Sequence, residues 1–230
     1  MKTIGLLGGT SWPSTFSYYE LLNRAAQKAL GGHHSARILL YSIDYHPIKS
    51  LYHDGWDKIP ALLAEEVRFF LAKGPDCLII CNNTLHRAFD QIRDSLNITI
   101  PVFHAGHLAA EEAQRQGHKT VLLLGTAFTM EDGFFAKYFE DRGIKVMIPN
   151  AEDRKSIQDI QSELALGNLD PSYPRIFAAM LKRYAEVDAI ILACTELPLA
   201  INETSAPKPL INPIHCQCEA AAGFVFGSRR

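Results

Sequence analysis

The sequence predicts an α/β fold made of two similar doubly wound parallel-sheet domains related by internal duplication. Three observations carry that prediction. Apolar strand-like runs alternate with segments of helical spacing, two strand-and-turn passages recur at a nearly constant interval, and no Pro/Ser-rich linker breaks the alternation. Sheets of this type bind ligands beyond the carboxyl ends of their strands, so a duplicated unit predicts one site, in the cleft where two facing copies meet.

The strand candidates, in order, are "KTIGLL", "RILLYSI", "DCLIIC", "KTVLLL", "KVMI" and "DAIILA". Between them, "STFSYYELLNRAAQKAL", "IPALLAEEVRFFLAKG" and "RIFAAMLKRYAE" show helical spacing and are expected to cover the sheets. The duplication appears when the two halves are laid together. "KTIGLLGGTS" (Lys2 to Ser11) matches "KTVLLLGTAF" (Lys119 to Phe128), and "DCLIICNNT" (Asp76 to Thr84) matches "DAIILACTE" (Asp188 to Glu196). Lys119 follows Lys2 by 117 residues and Asp188 follows Asp76 by 112, so both pairs fit one duplication. The expected division is residues 1–98 with 211–230 as a first α/β domain and 99–210 as a second. The expected cleft has Gly8, Gly9, Thr10, Asn82, Asn83 and Thr84 on one side and Gly125, Thr126, Cys194 and Thr195 on the other.

Composition narrows the function classes. A chain of 230 residues, 47% hydrophobic and 21% charged, can bury a sizeable core. Its 23 basic and 25 acidic residues give a net charge of −2 without any Lys/Arg-rich run, so no electrostatic footprint for nucleic acid is present. A small-molecule substrate is the default. "MKTIGLLGGTSW" is too short for a signal-peptide core or a membrane span, so a cytoplasmic location without membrane association is expected. Five cysteines, an odd number in a chain of this size, point to reduced thiols rather than a disulfide framework.

The residues able to do chemistry gather at the strand ends. In the internal alignment Asn82 falls opposite Cys194, Asn83 opposite Thr195, and Cys81 opposite Ala193. Alternate strand residues face opposite ways, so Cys81 is aimed away from the direction Cys194 takes and is read as buried structure. Cys194 ends a strand, and "TELP" after it reads as a helix start with Thr195 as a possible cap. Backbone N–H groups there would activate the thiol and hold a carboxylate, unless Glu196 merely caps the helix. "GLLGGTSW" is neither the three-glycine dinucleotide fingerprint nor a phosphate loop, so no nucleotide cofactor is indicated. Thr10 and Ser11 either bind substrate or cap the following helix. His86 is either a general acid/base or a helix-facing structural residue. "HAGH" and "HCQC" have suggestive spacing but lack further ligands at characteristic intervals, so no metal is expected.

Three passages resemble the aspartate/glutamate racemase family, in its aspartate racemase branch. "GLLGGTSWPSTFSYYELLN" resembles the family's opening, "LACTELPL" its second cysteine motif, and "NNTLH" stands where the family has Cys-Asn-Thr-x-His. The likeness spans essentially the whole chain, and Cys194-Thr195-Glu196 disfavours the glutamate racemases, which usually follow the cysteine with Thr-His. The resemblance implies a cofactor-independent isomerase, commonly a homodimer, in which two thiols exchange the α-proton of an acidic amino acid from opposite faces. It also implies that Asn83, Thr84 and Thr195 hold the α-carboxylate; Thr10 and Thr126, placed in the cleft by the duplication, are the further residues expected to bind the substrate. Asn82 occupies the place of the first catalytic cysteine, and an amide cannot serve as a base at neutral pH. "INPIH" departs from the family's Asp-Thr-x-x-His at Asn212 and Pro213, and "ELALGNLD" offers no lysine for a distal carboxylate. Three functions stay open on this basis: an aspartate or glutamate racemase working through Cys194, a single-thiol isomerase or decarboxylase of small dicarboxylates, and a non-catalytic binder of an acidic metabolite.

Overall fold

The computed structural model describes residues 1–52 and 54–227 and divides into two compact units, one formed by Met1–Ala105 with the chain from Gln217 onward, the other by Gly106–Cys216. The first unit contains β1 (Ile4–Gly8), α1 (Trp12–Leu30), β2 (Ile38–Ser42), α2 (His46–Lys49), α3 (Ile59–Leu71), β3 (Cys77–Ile80) and α4 (Leu85–Ile92). From α5 (Ala105–Arg115) the chain passes to β4 (Thr120–Leu124), α6 (Ala127–Glu131), α7 (Phe134–Glu140), β5 (Lys145–Met147), α8 (Ala151–Ala165) and α9 (Tyr173–Leu181). It then forms β6 (Ala189–Leu192) and β7 (Leu210–Ile211), and α10 (Pro213–Phe226) returns it to the first unit. The α/β class and the two parallel sheets match the sequence prediction. Among the described residues no helix is long and apolar enough to cross a membrane.

Each sheet is parallel throughout, with order β2-β1-β3 in the first unit and β5-β4-β6-β7 in the second. In the second sheet the period-2 geometry of a strand sorts the side chains without exception. Leu122 and Leu124 of β4 join Ile190 and Leu192 of β6 in one buried cluster, while Val121 and Leu123 join Ala189 and Ile191 in another. Both faces are therefore covered, which is why the strands read as continuous apolar runs rather than alternating ones.

The registers confirm the duplication atom by atom. Leu7 lies opposite Ile80 and Leu124 opposite Leu192, and one residue further Cys81 N–H donates to Leu7 C=O at 2.9 Å as Ala193 N–H donates to Leu124 C=O at 2.7 Å. Asn82 and Cys194 are thus equivalent positions in the two sheets. Their strands also begin alike. Asp76 accepts the N–H of Thr3 at 2.6 Å, and Asp188 accepts those of Lys119 and Thr120 at 2.7 and 2.9 Å.

The strand β7 is absent from the sequence prediction because two residues between prolines show no periodicity. Its counterpart in the first unit is a single parallel bridge, Leu78 to Val102, closed by Leu78 N–H to Pro101 C=O and Phe103 N–H to Leu78 C=O, both 2.9 Å.

The two N–H donors on Asp188, that of Lys119 contributing most, hold its carboxyl below the usual carboxylate range. A depressed folded-state pKa stabilises the fold above the unfolded value of about 3.9, and that stability is lost as pH falls through the folded value. Asp188→Asn is accordingly expected to lower the melting temperature at neutral pH. In paired melting curves the gap to wild type should close under more acidic conditions.

Candidate active site

In the first unit the candidate residues stand at the carboxyl ends of β1 and β3. The turn after β1 needs glycine at Gly9, where φ is +84° and a Cβ would sit 2.3 Å from the carbonyl oxygen and 2.6 Å from the nitrogen of Ile43. That close approach brings the end of β2 against the turn. Gly9 N–H donates to Thr15 Oγ1 at 3.1 Å, and the buried Thr10 hydroxyl donates to Cys81 C=O at 2.9 Å. Thr10 therefore ties the β1 turn to the end of β3, and its hydroxyl makes no cap to α1.

The "NNT" turn divides its work. Asn82 Oδ1 accepts Leu85 N–H at 2.8 Å, closing the first turn of α4, and its Nδ2 donates to the Tyr45 hydroxyl at 3.3 Å. Tyr45 in turn shares a hydrogen bond with the Tyr52 hydroxyl. Thr84, two residues after Asn82 in the turn, is also buried. Asn83 differs from both neighbours: it is only 4% exposed, yet neither its Oδ1 nor its Nδ2 has a hydrogen-bond partner, and the same holds for Ser11 Oγ. A buried amide left this way costs roughly 1–3 kcal/mol.

His86 takes its structural alternative. It is fully buried, its Nε2 accepts Ala105 N–H at 3.3 Å, and its ring centroid lies 4.0 Å from that of His104, which pairs with Asp90 at 3.2 Å. Gln217 of α10 completes this interior network, accepting the Tyr18 hydroxyl and donating to Phe103 C=O, both at 2.7 Å. Cys81 is also fully buried, and burial first, then the neighbouring Cys218, pushes its thiol well above the ordinary range. It is inert structure, as alternation along β3 predicts.

In the second unit the corresponding turns follow β4 and β6. Thr126 caps α6, its Oγ1 accepting Thr129 N–H at 3.1 Å and pairing with Thr129 Oγ1 at 2.9 Å. Cys194 continues the face of Ile190 and Leu192 and is 5% exposed. Its thiol donates to Glu196 Oε2 at 2.9 Å, and the Thr195 hydroxyl donates to the same oxygen at 3.1 Å. Glu196 is itself 4% exposed.

One expectation is corrected here: "TELP" does not open an α-helix. The chain makes a single 3-10 turn, Leu197–Leu199, in which Leu197 N–H reaches Cys194 C=O at 3.3 Å and Leu199 N–H reaches Glu196 C=O at 2.9 Å. The Glu196 carboxylate turns back to accept both the Cys194 thiol and the Thr195 hydroxyl, so neither side chain caps a helix. The helix amides expected beside Cys194 are therefore absent, and its thiol instead donates to the buried Glu196 carboxylate.

The sequence model of the family described as Asp/Glu/Hydantoin racemase matches residues 7–221. The chain belongs to that family. Its racemases are isomerases, and this family member is an isomerase of that class. Among solved structures it is similar to a candidate Asp/Glu racemase from Yersinia pestis, with 34% identity, TM-score 0.85, and 97% of this chain and 99% of that one covered. It is similar also to an aspartate racemase homologue from Pyrococcus horikoshii OT3, with 28% identity, TM-score 0.82 and the same coverage of 97% and 99%. The aspartate racemase of Picrophilus torridus shares the fold at 22% identity, TM-score 0.79, covering 100% of this chain and 96% of that one.

Two polar groups of this racemase-family site go beyond those singled out from the sequence. Glu196 was readable only as a cap, because contact between residues two apart beyond a strand is not specified by strand geometry. Tyr45 carried one usable signal, its place just past the carboxyl end of β2.

Proposed function

We propose that this chain is a racemase of an acidic α-amino acid, aspartate or glutamate, that exchanges the α-proton through Cys194. The observation that carries this reading is the hydrogen bond that the Cys194 thiol donates to the buried Glu196 carboxylate at 2.9 Å. Transfer to Glu196 leaves a thiolate to remove the α-proton from one face. In the reverse sense the thiol returns a proton there, and Glu196 restores it. Thr195 steadies the carboxylate through the change.

Asn83 supports an amino acid over a simple dicarboxylate. Its unpartnered amide offers one donor group and one acceptor, a match for a carboxylate and an ammonium on the same α-carbon. Thr84 and Thr10 flank it in the same turns. The scheme needs no cofactor, because hydrogen bonds to the α-carboxylate stabilise the carbanion-like transition state. It carries with it the expectation of a cytoplasmic homodimer.

A second reading is favoured by one observation. The position equivalent to Cys194 holds Asn82, whose amide is engaged on both sides. A single thiol suits a related isomerase or decarboxylase of small dicarboxylates that delivers a proton to one face of an enolate. Proton NMR of L- and D-aspartate and of L- and D-glutamate with enzyme in deuterated water separates the readings. Racemisation predicts α-deuterium incorporation with inversion for at least one pair. Exchange with retention assigns one working base. Absence of exchange removes racemisation of these substrates and leaves the dicarboxylate enzyme or a non-catalytic binder.

A further inference from the structure

We propose that the free edge of the first unit's sheet, β2 with the aromatic stripe of α1 beside it, docks a second copy of this chain, the two β2 strands pairing antiparallel about a two-fold axis. This gives a surface to the homodimer expected above, yet it stands on the sheet edge and is independent of what the site turns over.

β2 is the outermost strand of the order β2-β1-β3, and among the described residues no strand lies beyond it. Ile4 N–H donates to Arg37 C=O at 2.8 Å and Ile43 N–H to Gly8 C=O at 3.1 Å, so residues 37 and 43 bond inward to β1. Alternation along a parallel strand then turns the N–H and C=O groups of Ile38, Leu40 and Ser42 outward. Proteins ordinarily blunt such an edge with a charge, a proline or a bulge. Residues 38–42 carry no charge and no proline, and their register runs unbroken from Ile38 opposite Ile4 to Ser42 opposite Gly8.

Both shoulders of the edge are apolar. Trp12, Phe16 and Tyr19 recur at i, i+4 and i+7 on α1 and are 71%, 63% and 49% exposed. Asn23, four residues on, lies on the same face and accepts Ala36 N–H at 3.0 Å, which turns the stripe toward the start of β2. Leu40, 45% exposed, points to that side of the sheet as well, since its side chain and that of Thr15 of α1 are what a Cβ on Gly8 would meet. On the opposite side Tyr41 packs on the half-exposed Phe69 of α3, with centroids 4.9 Å apart. An aromatic side chain carries about 150–250 Å², so the α1 stripe alone leaves roughly 300–450 Å² in water. That is about half of the ~800 Å² each partner gives to a standard interface.

Self-complementarity names the occupant. The partner must offer an unpaired strand edge between two apolar helix shoulders, and a second copy has that shape. Antiparallel pairing centred on Leu40 joins the outward groups of both strands and makes one sheet of two. It also brings the exposed Arg37 before one strand toward the exposed Asp44 beyond the end of the other, at both ends. A parallel copy would set Arg37 beside Arg37 and Asp44 beside Asp44.

Sedimentation equilibrium over a dilution series tests this with wild type, Leu40→Lys, Phe16→Glu and Leu166→Lys, with melting curves as a control on folding. Wild type is expected at twice the protomer mass. Leu40→Lys sets two ammonium groups at the axis and should weaken association by about 100-fold or more, and Phe16→Glu by about tenfold or more. Leu166→Lys, at a 73% exposed leucine of the second unit, should change nothing. Amide exchange followed by NMR should find Leu40 N–H protected in concentrated wild type and unprotected in Phe16→Glu. A wild type of single protomer mass at every concentration overturns the proposal and hands the edge to a partner of another sequence. A folded Leu40→Lys or Phe16→Glu that associates as wild type does overturns it too, as does fast exchange of Leu40 N–H within a dimer. None of these readouts is turnover, so failure here leaves the racemase reading standing, and an inactive protein that dimerises through β2 supports the docking surface alone.

Discussion

Cys194→Ser is expected to lower turnover in both directions by about 10²–10⁴-fold, the usual worth of a positioned acid/base group. The physical reason is acidity rather than shape. A serine hydroxyl fits the space of the thiol and can still donate to Glu196 Oε2, so the turn after β6 should survive. It cannot yield a usable anion at neutral pH, because its proton is held far more tightly than that of a thiol near pKa 8.5. Substrate affinity should change little, since Asn83, with Thr84 beside it, holds the substrate in the proposed scheme. Steady-state racemisation of aspartate and glutamate, paired with calorimetric binding of the same amino acids, reads both effects. Turnover within tenfold of wild type would remove Cys194 from the chemistry. Loss of binding together with turnover would point to a packing role for the thiol.

Gly9→Ala is expected to destabilise the first unit by about 2–5 kcal/mol and to remove activity. Two costs add. A non-glycine residue at φ +84° sits in the left-handed region, which is worth about 1–2 kcal/mol of strain. The new methyl also meets backbone atoms of Ile43 at 2.3 and 2.6 Å, which cannot rotate aside as a side chain would, and relieving such overpacking costs about 1–3 kcal/mol more. The shift that relieves it must move the end of β2 or the β1 turn. Those segments carry Tyr45 and Thr10, so loss of activity should exceed what the loss of stability explains. Denaturant unfolding and turnover at a temperature where the variant remains folded separate the two effects. A variant as stable as wild type would show that the turn can relax without cost.

The two repeated passages were legible because a doubly covered parallel strand is written in consecutive residues. "DCLIIC" and "DAIILA" each carry the strand, the acidic residue that locks its start and the polar turn that ends it. Local periodicity and a constant interval were enough to place Asn82 opposite Cys194, and the hydrogen-bond register of both sheets bears this out. The helix expected after Cys194 failed for a local reason. Its first residues have polar side chains with a nearer use: Glu196 accepts the Cys194 thiol, and Thr195 donates to the same carboxylate.

By itself the sequence determined the α/β class, the duplication, the turns that end β1, β3, β4 and β6, and which of its thiols stands at a strand end. All of these depend on residues close together in the chain. The tertiary structure alone decided how those turns are used: that Glu196 faces the Cys194 thiol, that Asn83 is buried without a partner, and that the Tyr45 hydroxyl reaches Asn82. Tyr45 and Asn82 are 37 residues apart, and they meet because β2 and β3 flank β1 in register. Strand order and side-chain reach are properties of the folded sheet, which is why the contact between Tyr45 and Asn82 became visible only there.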